Sequence, residues 1–439
     1  MIINIERRIL VKKHKQLLIS VLLLLSIIIT SIGCTPRDQN QDENDGNGQK
    51  NEQEQDQTVE IPSPDQMILS AEKWKEKFPL IYASFQKTSR FKDGVTEDPE
   101  LGGSHPIDYL EKYPDIKVLY DGYGFSKEYY AARGHYYALH DVINTARPKP
   151  GASCLACKTA DYEKLLSTYE DDLYAMDFHK VSQEAENGIS CYNCHRNEPG
   201  KQIQATTPQF NVAVEKLENK PAPGNMACAQ CHVEYYMDSE TKEAILPWDN
   251  GLEIADIEEY YDEINFSDWK HPRTGTPLIK VQHPEFEMYT GSVHDKMGVT
   301  CADCHMPTLE ENGEKYKSHW AKSPLKTTEE SCAKCHSDDL EGIVASVEDI
   351  QKEIDAEEVA VSKMLVQLVE EFGKVLEDSK LDDETVNELW ELHRKAQYRW
   401  DFVFVENSTG FHNTAKAKKA LSEAKDYAQQ ALDKLVEFH

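Results

Sequence analysis

Five cysteine pairs at one spacing set the terms on which this chain can fold. Four are Cys-x-x-Cys-His: Cys191 and Cys194 with His195, Cys228 and Cys231 with His232, Cys301 and Cys304 with His305, and Cys332 and Cys335 with His336. The earliest pair, Cys154 and Cys157, is followed instead by Lys158. In such a segment the two thiols form thioethers to porphyrin vinyl groups and the next residue supplies an axial nitrogen to iron. The pattern therefore predicts five covalently bound haem c groups, one of them held by an amine where the others have imidazole. A single motif of this kind could equally hold zinc, but four of them in a chain with an export signal exclude that reading.

A haem is a large flat apolar body that can replace side chains as core. That reconciles 439 residues with an apolar fraction of only 39% and a charged fraction of 29%. The expected fold is mainly α, a single compact multihaem body with long C-terminal helices and few short strands. The eleventh cysteine, Cys34, ends an apolar run from Leu17 to Ile29 that follows the basic stretch Arg7 to Lys15. This is the layout of a secretory signal, too short to span a bilayer comfortably. Ser31-Ile32-Gly33-Cys34 resembles a lipobox, which makes Cys34 the lipidated mature N-terminus and the chain an exported lipoprotein on the outer face of the cytoplasmic membrane. Export also suits haem attachment, which takes place outside that membrane.

The expected organisation is a signal at 1–33, a disordered acidic tether at 34–65, a pentahaem catalytic region at 66–340 and a long-helix region at 341–439 packed on the same body. The tether is rich in Gln, Asn, Glu and Asp and has too little apolar surface to offset ordering entropy. Met67, Ile68, Ala71, Trp74 and Phe78 recur at helical spacing and predict a first helix over 66–78. Farther on, Val344, Val347, Ile350, Ile354, Val361, Leu365, Leu368, Phe372 and Val375 form a long amphipathic stripe. Further helices are predicted over roughly 382–406 and 414–437, and their apolar faces make this region the expected dimer interface. A net charge of −30 argues against a nucleic-acid partner, and it obliges any anionic substrate to find a local cationic site.

A second imidazole on each Cys-x-x-Cys-His haem would saturate its iron and leave it only electron transfer. Twelve other histidines are present, and spacing alone does not choose among them. Lys158 differs, because an amine binds metal only when deprotonated. An iron held by Lys158 with no second ligand has an open face, which is where chemistry occurs.

The order of one Cys-x-x-Cys-Lys and four Cys-x-x-Cys-His resembles that of the ammonia-forming cytochrome c nitrite reductases. So do the strings Arg133-Gly134-His135, Cys231-His232-Val233-Glu234-Tyr235-Tyr236, Phe266-Ser267-Asp268-Trp269, Lys280-Val281-Gln282-His283-Pro284-Glu285 and Arg399-Trp400-Asp401. The resemblance implies distal ligands His319, His135, His412 and His294 for the second to fifth haems. It implies Lys158 below the first haem, and Arg147, Tyr235 and His283 around the nitrite on its open face. It implies a calcium ion on Glu234, Tyr235, Lys280 and Gln282, whose oxygen donors suit a hard cation. It further implies nitrite as substrate, a membrane quinol-oxidising cytochrome as electron donor, and a homodimer. The alternatives are a multihaem electron-transfer cytochrome, which needs no lysine ligand, and a reductase of hydroxylamine or sulfur oxyanions.

Overall fold

The computed structural model of the chain describes residues 61–89, 106–201, 203–378 and 381–438. The signal segment, Cys34 and the tether as far as residue 60 lie outside them. Helix dominates, and strand among the described residues is confined to three antiparallel ribbons. These pair β1 (Tyr236–Met237) with β2 (Ala244–Ile245), β3 (Trp269–Lys270) with β4 (Pro277–Leu278), and β5 (Thr308–Glu311) with β6 (Glu314–Lys317). The expected mainly α fold is the one observed.

The first stretch departs from the helix expected at 66–78. Only Ala71–Trp74 makes a 3-10 turn, and the first α-helix, α1 (Pro79–Gln86), begins at a proline whose fixed φ and missing donor suit a helix start. Residues 66–68 are claimed by Asn197: its Oδ1 accepts from Ile68 N at 2.8 Å, and its Nδ2 donates to the Gln66 carbonyl at 2.8 Å. Leu69 buries with Ala160 and Tyr192, and Met67 packs on them. The apolar spacing there serves a strap, and tertiary hydrogen bonds override the local periodicity.

Residues 150–336 are built largely from single turns and loops, and each cysteine pair sits on or beside one. The turns are Ala152–Leu155, Tyr192–His195, Pro223–Ala229, Cys301–His305 and Ala333–His336. Positions i, i+3 and i+4 share a helix face, so one turn suffices to bring two thiols and the following side chain to the same side. Gly151 shows how tightly the first pair is set. A Cβ there would lie 2.1 Å from the Tyr174 carbonyl oxygen, and the close approach lets Ser153 Oγ donate to the Lys242 carbonyl at 2.5 Å.

The apolar side chains concentrate elsewhere. Short α2 (Ile116–Leu119) and α3 (Ile254–Glu263) pack with α4 (Leu340–Asp378), α5 (Asp383–Phe404) and α6 (Thr414–Val436) around one large cluster. At 1.5 Å per residue α4 alone is about 60 Å long. Seven of the nine residues of its expected stripe are buried, and Val344 and Ile350, towards its N-terminal end, are half-buried. Helix α6 answers with Ala417, Ala420, Ala424, Ala428 and Ala431, small side chains that let the helices approach closely. Asp382 caps α5 by accepting from Thr385 N at 2.8 Å, and Asn413 caps α6 by accepting from Lys416 N at 3.2 Å. Between them Gly410 adopts φ +77°, where a Cβ would press on Ile354. Outside this cluster the core breaks into three small groups.

Candidate active site

The thinly packed region encloses a cavity of about 2660 Å³, lined by all ten cysteines of the five pairs, by Lys158, and by His135, His195, His232, His283, His294, His305, His319, His336 and His412. A pocket for one drug-sized ligand occupies roughly 300–1,000 Å³, so this space takes several large groups. The ten described cysteines form no disulfide.

Ring geometry tests whether irons fit between the histidines. Two imidazoles bound to one metal at about 2.0–2.1 Å, each with its ring centre roughly 1 Å farther back, have centres about 6 Å apart. His195 and His319 have ring centres 6.3 Å apart, His305 and His412 6.1 Å, and His294 and His336 6.4 Å. These are three of the four expected pairs. For the fourth, His135 lies in the same cavity, and after burial the charge of His232 is what most lowers its pKa, to about 4.

Two of these rings have Nδ1 engaged from behind. Lys322 O lies 2.9 Å from His305 Nδ1 and Lys317 O 2.9 Å from His319 Nδ1. Such partners fix the tautomer and leave Nε2 for a metal. The residues present therefore fit five covalent haems, with three imidazole pairs at the spacing an iron needs and His135 and His232 lining the same cavity.

Lys158, Arg147, Tyr235 and His283 all line this cavity, and His283, whose pKa burial lowers to about 4, also feels the charge of Lys158. The rings of Tyr235 and His283 are 5.9 Å apart. The Tyr235 hydroxyl is raised by burial and by Cys154 and Cys157, and Arg147 opposes this, which puts the first cysteine pair and Arg147 within electrostatic reach of Tyr235. Arg147 is held from two sides: its Nε donates to Thr145 Oγ1 at 3.2 Å, and its guanidinium lies 4.1 Å from the Phe125 ring centre. The other expected residues converge just behind. Glu234 is fully buried, accepting from Tyr261 Oη at 2.8 Å and from Gln282 N at 2.6 Å. Burial, with Glu287 and Asp268 nearby, pushes its carboxyl well above the usual range. The Gln282 side chain meets the Lys280 carbonyl at 3.0 Å, and the amide assignment is interchangeable with its flip. A buried carboxylate beside carbonyl and amide oxygens, with no side-chain cation bonded to it among the described residues, suits a hard divalent ion.

Lys280 contributes more than its carbonyl. Its ammonium is wholly buried, 2.9 and 3.0 Å from the two oxygens of Asp401 on α5, and it lies 4.7 Å from the Tyr120 ring centre and 5.1 Å from that of Phe125. Asp401 also accepts from Val281 N at 2.9 Å and from the Tyr120 hydroxyl. Asp268 accepts from Lys280 N at 2.8 Å. Sequence reasoning gave Asp268, Asp401 and Glu285 no role, although all three fall in the strings quoted above.

The model of the cytochrome c552 family matches residues 70–439. Similar proteins include a cytochrome c-552 of Bacteroides thetaiotaomicron, 32% identical over 82% of this chain and 75% of that protein. The cytochrome c nitrite reductase subunit NrfA of Nitratidesulfovibrio vulgaris is 34% identical over 83% and 78%. Among solved structures, the catalytic subunit of cytochrome c nitrite reductase from Desulfovibrio desulfuricans, described with two calcium sites, superposes with a TM-score of 0.76. Its identity to this chain is 30%, over 84% of this chain and 86% of that one. The chain belongs to the cytochrome c552 family and is an oxidoreductase that carries haem c.

Proposed function

We propose that the protein reduces nitrite to ammonium by six electrons at the haem held by Cys154, Cys157 and Lys158. The observation that carries this is the contrast within one cavity. Imidazoles confront each other at about 6 Å around three positions, whereas the first cysteine pair is followed by Lys158 in place of a histidine, and Arg147, Tyr235 and His283 line the same cavity. The bound haem would supply electrons and a coordination position for the substrate nitrogen. Arg147, its guanidinium fixed by Thr145 and Phe125, provides the positive charge an anion needs in a protein of net charge −30. The Tyr235 hydroxyl and His283 stand beside it to hydrogen-bond the substrate oxygens and pass protons to them.

His319, His135, His412 and His294 act in this reading as distal ligands of the second to fifth haems, which relay electrons inward. Calcium sits on Glu234, Tyr235, Lys280 and Gln282 and stiffens the segment that carries His283. The electron donor is a membrane quinol-oxidising cytochrome, the protein pairs through its long helices, and lipidation of Cys34 holds it on the outer face of the membrane. Sequence features and the similarity to nitrite reductases support these parts. Reduction of nitrite by a viologen dye, with ammonium quantified, tests the activity: stoichiometric ammonium is expected, and absence of turnover or a gaseous product overturns the proposal.

A further inference from the structure

Glu285 is more than nine-tenths buried and stands between two imidazoles with different duties. Its Oε1 is 3.6 Å from Nδ1 of His232, the residue after the third cysteine pair, and its Oε2 is 3.7 Å from Nδ1 of His283 beside Lys158. The ligating atoms of all three lie within 4.8 Å of one another. Neither His283 Nδ1 nor Glu285 Oε2 has a hydrogen-bond partner among the described residues. The backbone fixes the arrangement, since Glu285 N donates to the His283 carbonyl at 2.9 Å and Phe286 N to the His232 carbonyl at 3.2 Å. Asn407, in the turn between α5 and α6, donates through Nδ2 to Oε1.

Resting on the nitrite-reductase reading, we infer that Glu285 is a positioning residue shared by the third haem and the substrate pocket. One carboxylate oxygen backs the axial imidazole of His232 while the other sets the ring of His283. Each ring then carries its proton on Nδ1 and turns Nε2 to the cavity, towards iron for His232 and towards substrate for His283. A carboxylate behind an axial imidazole makes it a stronger donor and favours the oxidised iron. The same anion thus holds down the potential of one relay centre and orients the histidine that meets the substrate. Two functions usually tuned by separate residues are here tied to one side chain.

Glu285→Gln keeps the size and removes the charge. Expected results are an unchanged haem content, one low-spin centre titrating at higher potential in spectropotentiometry with the others unmoved, and a raised KM for nitrite. Asn407→Ala removes the donor that competes for Oε1 and should move the same centre the opposite way, to lower potential; it supplies the test if Glu285→Gln does not mature. A redox titration superimposable on the parent's in both variants overturns the inference, as does a fall in kcat with potentials and KM unchanged. The redox readout needs no nitrite, so a parent protein inactive on nitrite refutes the proposed activity and leaves this inference to be judged by its potentials.

Discussion

The buried pair Lys280–Asp401 offers a direct test of what holds the site in place. Both side chains are fully inaccessible, and burial moves each towards neutrality, raising Asp401 and lowering Lys280, with each partner's charge opposing the shift. Attraction and desolvation are therefore close to balanced, as is typical of dry ion pairs. Replacing Asp401 with Leu strands an ammonium and the donors of Val281 N and Tyr120, and breaking such a pair costs about 3–5 kcal/mol. Over the unit Glu60–His439 the unfolding entropy is about 0.8 kcal/mol/K, so Tm of the haem-loaded protein should fall by roughly 4–6 °C. The double variant Lys280→Met with Asp401→Leu removes the stranded charge and should recover at least half of that loss. Thermal melts followed by far-UV circular dichroism measure all three proteins. If the single variant melts with the parent, or the double melts below the single, the pair does not anchor the 280–283 segment.

Lys158→His should leave five covalent haems by pyridine haemochrome assay, change the high-spin electron resonance signal and depress nitrite turnover by an order of magnitude or more; unaltered turnover would remove Lys158 from the proposed chemistry. Glu234→Gln should lower bound calcium, measured by elemental analysis, by about one equivalent while the haem count stays fixed. His393 is buried between Thr276 Oγ1 at 2.9 Å and Gln397 Oε1 at 3.2 Å, and burial, with His271 nearby, pushes its pKa from 6.5 to about 3. The unfolded chain therefore binds the extra proton between those values, and the stability His393 contributes is complete above about 6.5 and lost as pH falls towards 3. His393→Gln should flatten the dependence of Tm on pH in that window, and a parallel curve would show that another group sets it.

The sequence made some of this legible and hid the rest for identifiable reasons. Cysteine spacing is a covalent constraint, so the five attachment points and the odd lysine could be read directly. The stripe of α4 was legible because a long helix packed along its length must keep its period. The strap at 66–70 was misread as helix because Asn197, more than a hundred residues away, decides its backbone. Pairings such as His195 with His319 join residues with no fixed spacing, and only the resemblance proposed them. Asp401 and Glu285 were invisible as functional residues, since an acidic side chain in sequence carries no sign of being buried beside Lys280 or between two imidazoles.

The uneven distribution of packing has a consequence for maturation. Leu110, Ile116, Leu119 and Tyr120 precede the cysteine pairs, α4, α5 and α6 follow them, and both ends meet in one cluster that is joined from between the pairs only by the segment from Tyr236 to Met288. The attachment stretch is in effect a bight of rope made fast at both ends before its cargo is stowed. Limited proteolysis of chain produced without haem should spare α4 to α6 and the segment from Tyr236 to Met288 and cut first within residues 150–235 and 289–336. Uniform digestion would mean that the cargo is needed to tie the knot itself.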